Sequence, residues 1–185
     1  MPLPPSSDRE ALHLRAIEMR GYRRADGDYE IEGRITDTKT RPIHPPGRAA
    51  PMPAGTPVHD MWIRLVVDEH LAIKDVLAVT DSGPYADCPH AAAALQSLRG
   101  ARIGPGWTAR VKAMLGREAC THLVELLIPL ATAAYQTLAH VRMARADELD
   151  ANGRPVRIDS CYAYADDRDL VRRRWPLHYR PGSPR

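Results

Sequence analysis

The sequence predicts an α+β fold: an antiparallel sheet of hairpins in the N-terminal half, covered on one face by three helices, the last long and bent. Two observations carry this. Apolar residues alternate with a period of two in the first 80 residues, whereas from Cys88 onward they recur at helical spacing. Strands come first and helices later, the order of a sheet with helices packed against one side.

Residues 1–10 read as a loose Pro/Ser tail. A strand-like run carrying Ile17 and Met19 ends near Arg23, and Ala25-Asp26-Gly27-Asp28 supplies turn chemistry. Tyr29, Ile31, Gly33 and Ile35 then alternate with Glu30, Glu32, Arg34 and Thr36, a half-exposed antiparallel strand. Six prolines between 39 and 57 make that segment an irregular loop, because proline lacks the ladder donor. A second hairpin follows: Met61, Ile63, Leu65 and Val67 alternate with Trp62, Arg64 and Val66, Asp68-Glu69-His70 turns, and Leu71 to Thr80 returns.

Three helices are expected next. Cys88 to Arg99 is Ala-rich, with Pro89 in its first turn and Gly100 just beyond it. Trp107 to Leu115 is closed by Gly116, and Cys120 opens a long helix to about Ala146, bent near Pro129. Its stripe Leu123, Leu126, Leu127, Leu130, Ala134 and Leu138 is core, and its far end could support a homo-oligomer. After Asp150-Ala151-Asn152-Gly153, a strand-like Asp159 to Tyr164 leads into a polar segment with Trp175 and Tyr179. The expected organisation is one α+β domain over 11–180, flanked by loose tails at 1–10 and 181–185.

Composition narrows the function classes. Hydrophobic residues at 44% and charged residues at 26% suit a globular protein, and 185 residues can enclose a real core. The absence of Phe beside heavy use of Ala, Leu and Arg suggests a GC-rich bacterial genome. A net charge of +3 argues against a nucleic-acid partner, and Arg172-Arg173-Arg174 reads as a solvated or aromatic-stacked run. The longest apolar run, Leu123 to Leu138, contains Glu125, Pro129 and Gln136 and falls short of the ~20 residues of a membrane span. A start lacking the signal-peptide pattern and an odd number of cysteines, three, point to a reducing cytoplasm.

Chemistry concentrates in His59-Asp60, Cys88-Pro89-His90 and Cys120-Thr121-His122, which set soft or borderline ligands at the mouths of three elements. Zinc and iron–sulfur centres take thiolate and imidazole, with carboxylate as a further ligand. Cys88 and Cys120 stand at expected helix starts, where the helix dipole favours an anion. The candidate metal ligands are therefore Cys120, His122 and Cys88, with His59, Asp60 or Asp81 completing the shell. Zinc is the expected ion, with iron or an iron–sulfur cluster as the alternative. Two other readings stay open: a polar cluster that only caps turns, and a thiol nucleophile at Cys120 or Cys88 with a histidine as its base. In a metal-free accessory protein, the Pro-rich loop and the Trp175/Tyr179 segment would meet a protein partner. No Gly-x-Ser-x-Gly elbow and no phosphate-binding loop is present. Whether the protein is an enzyme is left open.

Several stretches resemble a bacterial family known as domain of unknown function 2889: Arg20 to Arg24, Ile31 to Lys39, His59 to Trp62, Arg102 to Gly106 and Cys120 to Leu123. That resemblance implies no established activity. More distantly, His59-Asp60-Met61, the hairpin from Ile63 to Ala78, Cys88, and Cys120-Thr121-His122 opening a helix are similar to U-type (NifU-like) iron–sulfur scaffold proteins. The likeness implies a sheet with helices on one face and a zinc or nascent-cluster site. His59 with Asp60 would take the first ligand position, Asp81 or Cys88 the second, and Cys120 with His122 the third. Here the first ligand is histidine, the loop before Cys88 is longer, and the last pair is Cys-x-His, departures that a stable mononuclear zinc site tolerates better than a labile cluster.

Overall fold

The computed structural model describes residues 7–144 and 148–182. The expected tails at 1–10 and 181–185, and the end of the expected long helix, lie partly outside them. The chain divides into two compact units, Met1–Leu138 and Ala139–Arg185.

The first unit is built on four antiparallel strands in the order β1-β2-β3-β4: β1 (His13–Arg23), β2 (Tyr29–Lys39), β3 (Pro57–Val67) and β4 (Ile73–Ser82). Short-range chemistry makes the hairpins. Gly27 takes a positive φ of 92° and Arg24 N–H bonds the Asp28 carbonyl, closing the first. In the second, Asp68 Oδ1 accepts the His70 and Ala72 amides at 2.8 and 2.9 Å. The expected alternation holds: Tyr29, Ile31, Ile35, Met61, Ile63, Leu65 and Val67 are buried on one face, while Glu30, Glu32, Arg34, Trp62 and Arg64 lie on the other. The Pro-rich segment is tied across its middle by reciprocal Ile43–Met52 backbone bonds, with Met52 buried.

Helix α1 (Trp107–Leu115) has the expected bounds, and the buried Trp107 indole donates to the Leu127 carbonyl at 3.1 Å. Helix α2 (Thr121–Thr137) packs on β1, β2 and β3 through Leu123, Leu126, Leu127, Leu130, Ala131 and Ala134. Each fully buried leucine contributes about 1.5–3 kcal/mol. Two glycines let α2 lie close to the sheet. A Cβ at Gly33 would stand 2.7 Å from Leu130 Cδ1, and one at Gly21 would collide with Thr137 Oγ1 and sit 2.8 Å from Thr137 Cβ. Turning the Thr137 side chain does not move its Cβ, so Gly21→Ala should destabilise by about 1–3 kcal/mol. A lowered urea midpoint with an unchanged slope is the expected readout.

Three elements differ from the sequence expectation. Cys88–Leu98 is a 3-10 run, not an α-helix, and its buried residues Leu95 and Leu98 lie three apart, the repeat of that helix. The long helix stops at Thr137, whose hydroxyl bonds back to the Ala133 carbonyl at 2.9 Å and competes with the ladder. A separate α3 (Ala139–Ala144) follows in sequence. Asp159 to Tyr164 is a compact turn, not a strand: Asp159 has φ 67°, its amide bonds the Tyr164 carbonyl, and Tyr162–Tyr164 is 3-10.

The second unit is organised by arginine stacking. Arg168 lies over Tyr162 at 4.3 Å and Arg157 over Tyr164 at 5.8 Å, and the Tyr164 and Trp175 rings are 6.0 Å apart. In α4 (Asp169–Arg174), Arg172 and Arg173 reach Asp169 at 3.0 and 2.8 Å, and Arg174 stacks on Trp175 at 5.0 Å.

Candidate metal centre

One row across the sheet carries the polar groups of the covered face. Arg15 on β1 pairs in register with Asp37 on β2, and Asp37 pairs with His59 on β3. Residues opposite one another on neighbouring strands point to the same face, so all three side chains meet beneath the start of α2. Asp37 extends the inward phase of Tyr29, Ile31, Gly33 and Ile35, which is why it is buried, with 3% of its side chain exposed.

Its charge is fully met. Arg15 donates Nε to Oδ1 at 2.8 Å and Nη2 to Oδ2 at 2.9 Å, His13 Nε2 lies 2.7 Å from Oδ1, and His59 Nδ1 lies 3.0 Å from Oδ2. Arg15 Nη1 also donates to both Glu125 oxygens on α2, at 2.8 and 2.7 Å, joining sheet to helix. Burial alone would raise the Asp37 carboxyl. The hydrogen bonds from Arg15 and His13, the Arg15 charge and the bond from His59 outweigh it and hold the group well below the usual carboxylate range. An ionised carboxylate only accepts, so His59 carries its proton on Nδ1 and leaves Nε2 with a lone pair.

Helix α2 brings the remaining donors. Its N-cap residue is Cys120, and His122 in the first turn lies against His59, ring centroids 3.7 Å apart and tilted by 32°. Cys120 Sγ is 3.7 Å from His122 Nδ1 and 3.9 Å from Met61 Sδ. Burial lowers the pKa of both histidines; the Asp37 bond opposes this at His59, and the charge of a protonated His59 adds to it at His122. Both rings are therefore neutral near pH 7, the form that binds metal. Ligand-type atoms of Asp37, His59 and His122 lie within 4.8 Å of one another.

These shifts set an acid profile for the metal-free protein. A histidine whose folded pKa is depressed binds fewer protons folded than unfolded, so its contribution is complete above the unfolded value of ~6.5 and is lost as pH falls below it. Asp37 follows the same sign at lower pH, with its contribution complete above ~3.9 and lost as pH falls further. Unfolding free energy should thus decline in two stages, and a His59→Gln/His122→Gln double variant should lack the first. Urea midpoints between pH 4 and 8 read the first stage, and their extension toward pH 2 reads the second.

Of the six residues singled out from the sequence, the structure brings His59 and His122 together, and Cys120 touches His122. Asp60 faces the other side of the sheet, where Arg34 grips it at 2.8 and 2.6 Å and stacks on Trp62 at 4.7 Å. Asp81 is exposed at a β4 irregularity, between Ser82 opposite Asp60 and Thr80 opposite Met61. Cys88, half-buried at the start of the 3-10 run, packs against Gly83. Among the described residues, the close set of ligand atoms is Asp37, His59 and His122; Cys88, Asp60 and Asp81 lie outside it, and Cys120 joins only through its contact with His122. Asp37, Arg15, His13 and Glu125 escaped sequence reasoning. A carboxylate in the apolar phase of β2 was the available signal.

The fold and cluster define a protein with a four-stranded antiparallel meander, a helix across one face and, between them, a buried Asp37 beside two half-buried histidines. Residues 13–136 match the family model described as "Protein of unknown function (DUF2889)", and the chain belongs to that family. No curated protein and no solved structure matches it. Among the described residues, no helix is long and apolar enough to cross a membrane.

Proposed function

We propose that the protein binds a single zinc ion between the sheet and the start of α2. His59 and His122 supply imidazoles and Cys120 a thiolate, while Asp37 holds His59 in the ligating tautomer, as carboxylates behind metal-bound histidines do. The observation that carries this is the meeting of His59 and His122, whose rings lie 3.7 Å apart and are kept neutral by burial, with Cys120 Sγ 3.7 Å from His122 Nδ1. An ion ~2.3 Å from sulfur and ~2.0–2.1 Å from nitrogen at tetrahedral to trigonal angles sets those atoms about 3.6–3.8 Å apart, and Cys120 Sγ and His122 Nδ1 are 3.7 Å apart. Asp37 is the orienting group and not a ligand, because its two oxygens already accept four hydrogen bonds. A single thiol in the cluster suits a mononuclear ion better than an iron–sulfur centre, which takes several thiolates.

The 3.7 Å contact between Cys120 and His122 also fits a thiol with its base. In that arrangement the orienting carboxylate would act on the base histidine, whereas Asp37 holds His59. Zinc uses both histidines and is the better reading.

Elemental analysis of untagged protein, with Cys120→Ser alongside, tests it. Zinc near one equivalent per chain in the wild type and a marked loss in the variant is the expected result. Metal-free wild-type protein that also fails to take up added zinc would sink the reading. Inactivation by alkylation without metal loss would transfer the site to thiol chemistry.

A further inference from the structure

We propose that Cys120, Met61 and His122 form a second, softer donor set that binds Cu(I). The set overlaps the zinc site at Cys120 and His122, and its distinguishing member is the Met61 thioether. Met61 lies two residues from His59 on the covered face of β3 and is fully buried. Packing alone accounts for a buried methionine in a core. What singles out Met61 is that its sulfur lies 3.9 Å from a thiol, and that thiol lies 3.7 Å from an imidazole nitrogen.

Both separations fit one ion. Two sulfurs each ~2.3 Å from a metal, at tetrahedral to trigonal angles, stand about 3.8–4.0 Å apart, and a sulfur and an imidazole nitrogen about 3.6–3.8 Å. Thiolate, thioether and neutral imidazole are the donors that select Cu(I). A thioether brings no charge and little to zinc, which is served by His59 instead. The fully buried Met61 gives the set one side closed to water, which suits an ion that is readily dehydrated. The half-buried Cys120 and His122 provide the route in by ligand exchange.

The experiment is an anaerobic titration of the metal-free full chain with Cu(I) against a bicinchoninate competitor, with zinc titrated in parallel against a chromophoric chelator. Stoichiometric Cu(I) binding is expected. Met61→Leu should weaken Cu(I) by at least the ~10-fold that even an outer partner of a metal site is worth, leaving zinc affinity unchanged. His59→Gln should do the reverse. Met61→Leu conserves volume and should cost under ~1.5 kcal/mol, so the variant folds, and its thermal melt verifies this. Cu(I) affinity insensitive to Met61→Leu, or a parallel loss of both metals in that variant, would overturn the copper site. Loss of zinc binding alone, with the copper pattern intact, would instead sink the zinc reading.

Discussion

Replacing His122 with alanine is expected to abolish zinc binding at the proposed site while leaving the fold in place. The ring stands in the first turn of α2, half-buried against His59, and its removal takes one of two imidazoles from the shell. Loss of an orienting neighbour costs a metal site ~10–100-fold in affinity, so loss of a direct ligand should cost more. The stability of the metal-free protein should change far less, because alanine is a good helix former and Leu123, Leu126 and Leu127 still anchor the helix. Competitive titration with zinc and a thermal melt of the metal-free variant separate the two effects. Wild-type zinc affinity in the variant would remove His122 from the shell.

Arg15→Ala is expected to be among the most destabilising single changes outside the apolar core. Arg15 makes two hydrogen bonds to Asp37 and two to Glu125, and deleting it leaves a buried carboxylate with only His13 and His59 as partners. Breaking a buried ion pair on one side costs ~3–5 kcal/mol. Arg15 keeps some contact with water, 30% of its side chain being exposed, which reduces the loss to about 2–4 kcal/mol. The effect should shrink in acid, where the lone Asp37 takes up a proton. Urea unfolding of both proteins at pH 7 and pH 4 gives the comparison; a difference under ~0.5 kcal/mol at pH 7 would show that the histidines alone satisfy Asp37.

The sheet was legible because its signal is local. The phase of β2 and β3, the Asp-Gly turn and the Asp68 turn each stand on a few consecutive residues. Helix α1 was equally plain, bounded by Gly106 and Gly116. Cys88–Leu98 misled because alanine composition speaks for an α-helix, whereas the two leucines that must be buried set a three-residue repeat. Asp159–Tyr164 misled because a strand-like composition needs a partner strand, and local bonds through the Asp159 turn won.

The candidate site was half legible. Cys120, His122 and His59 announce themselves as ligand types at element ends. Asp60 sits beside His59 in sequence, yet the alternation of a strand sends neighbours to opposite faces, and Arg34 holds it there. Asp37 and Arg15 are remote in sequence from His122, and only strand register brings them beneath it.

The glycine at position 33 acts as a spacer of zero thickness. Leu130 settles onto it, and His122 lies eight residues up the same helix, ~12 Å along the axis at 1.5 Å per residue. A methyl group introduced at that contact would press on Leu130 Cδ1 and Met19 Sδ, the ends of two flexible side chains, so the packing beneath the helix that carries His122 would have to rearrange. At the proposed zinc site, ligand geometry would thus rest in part on a contact that has no donor atom, and changes at residue 33 or 130 would alter it with the ligands unchanged.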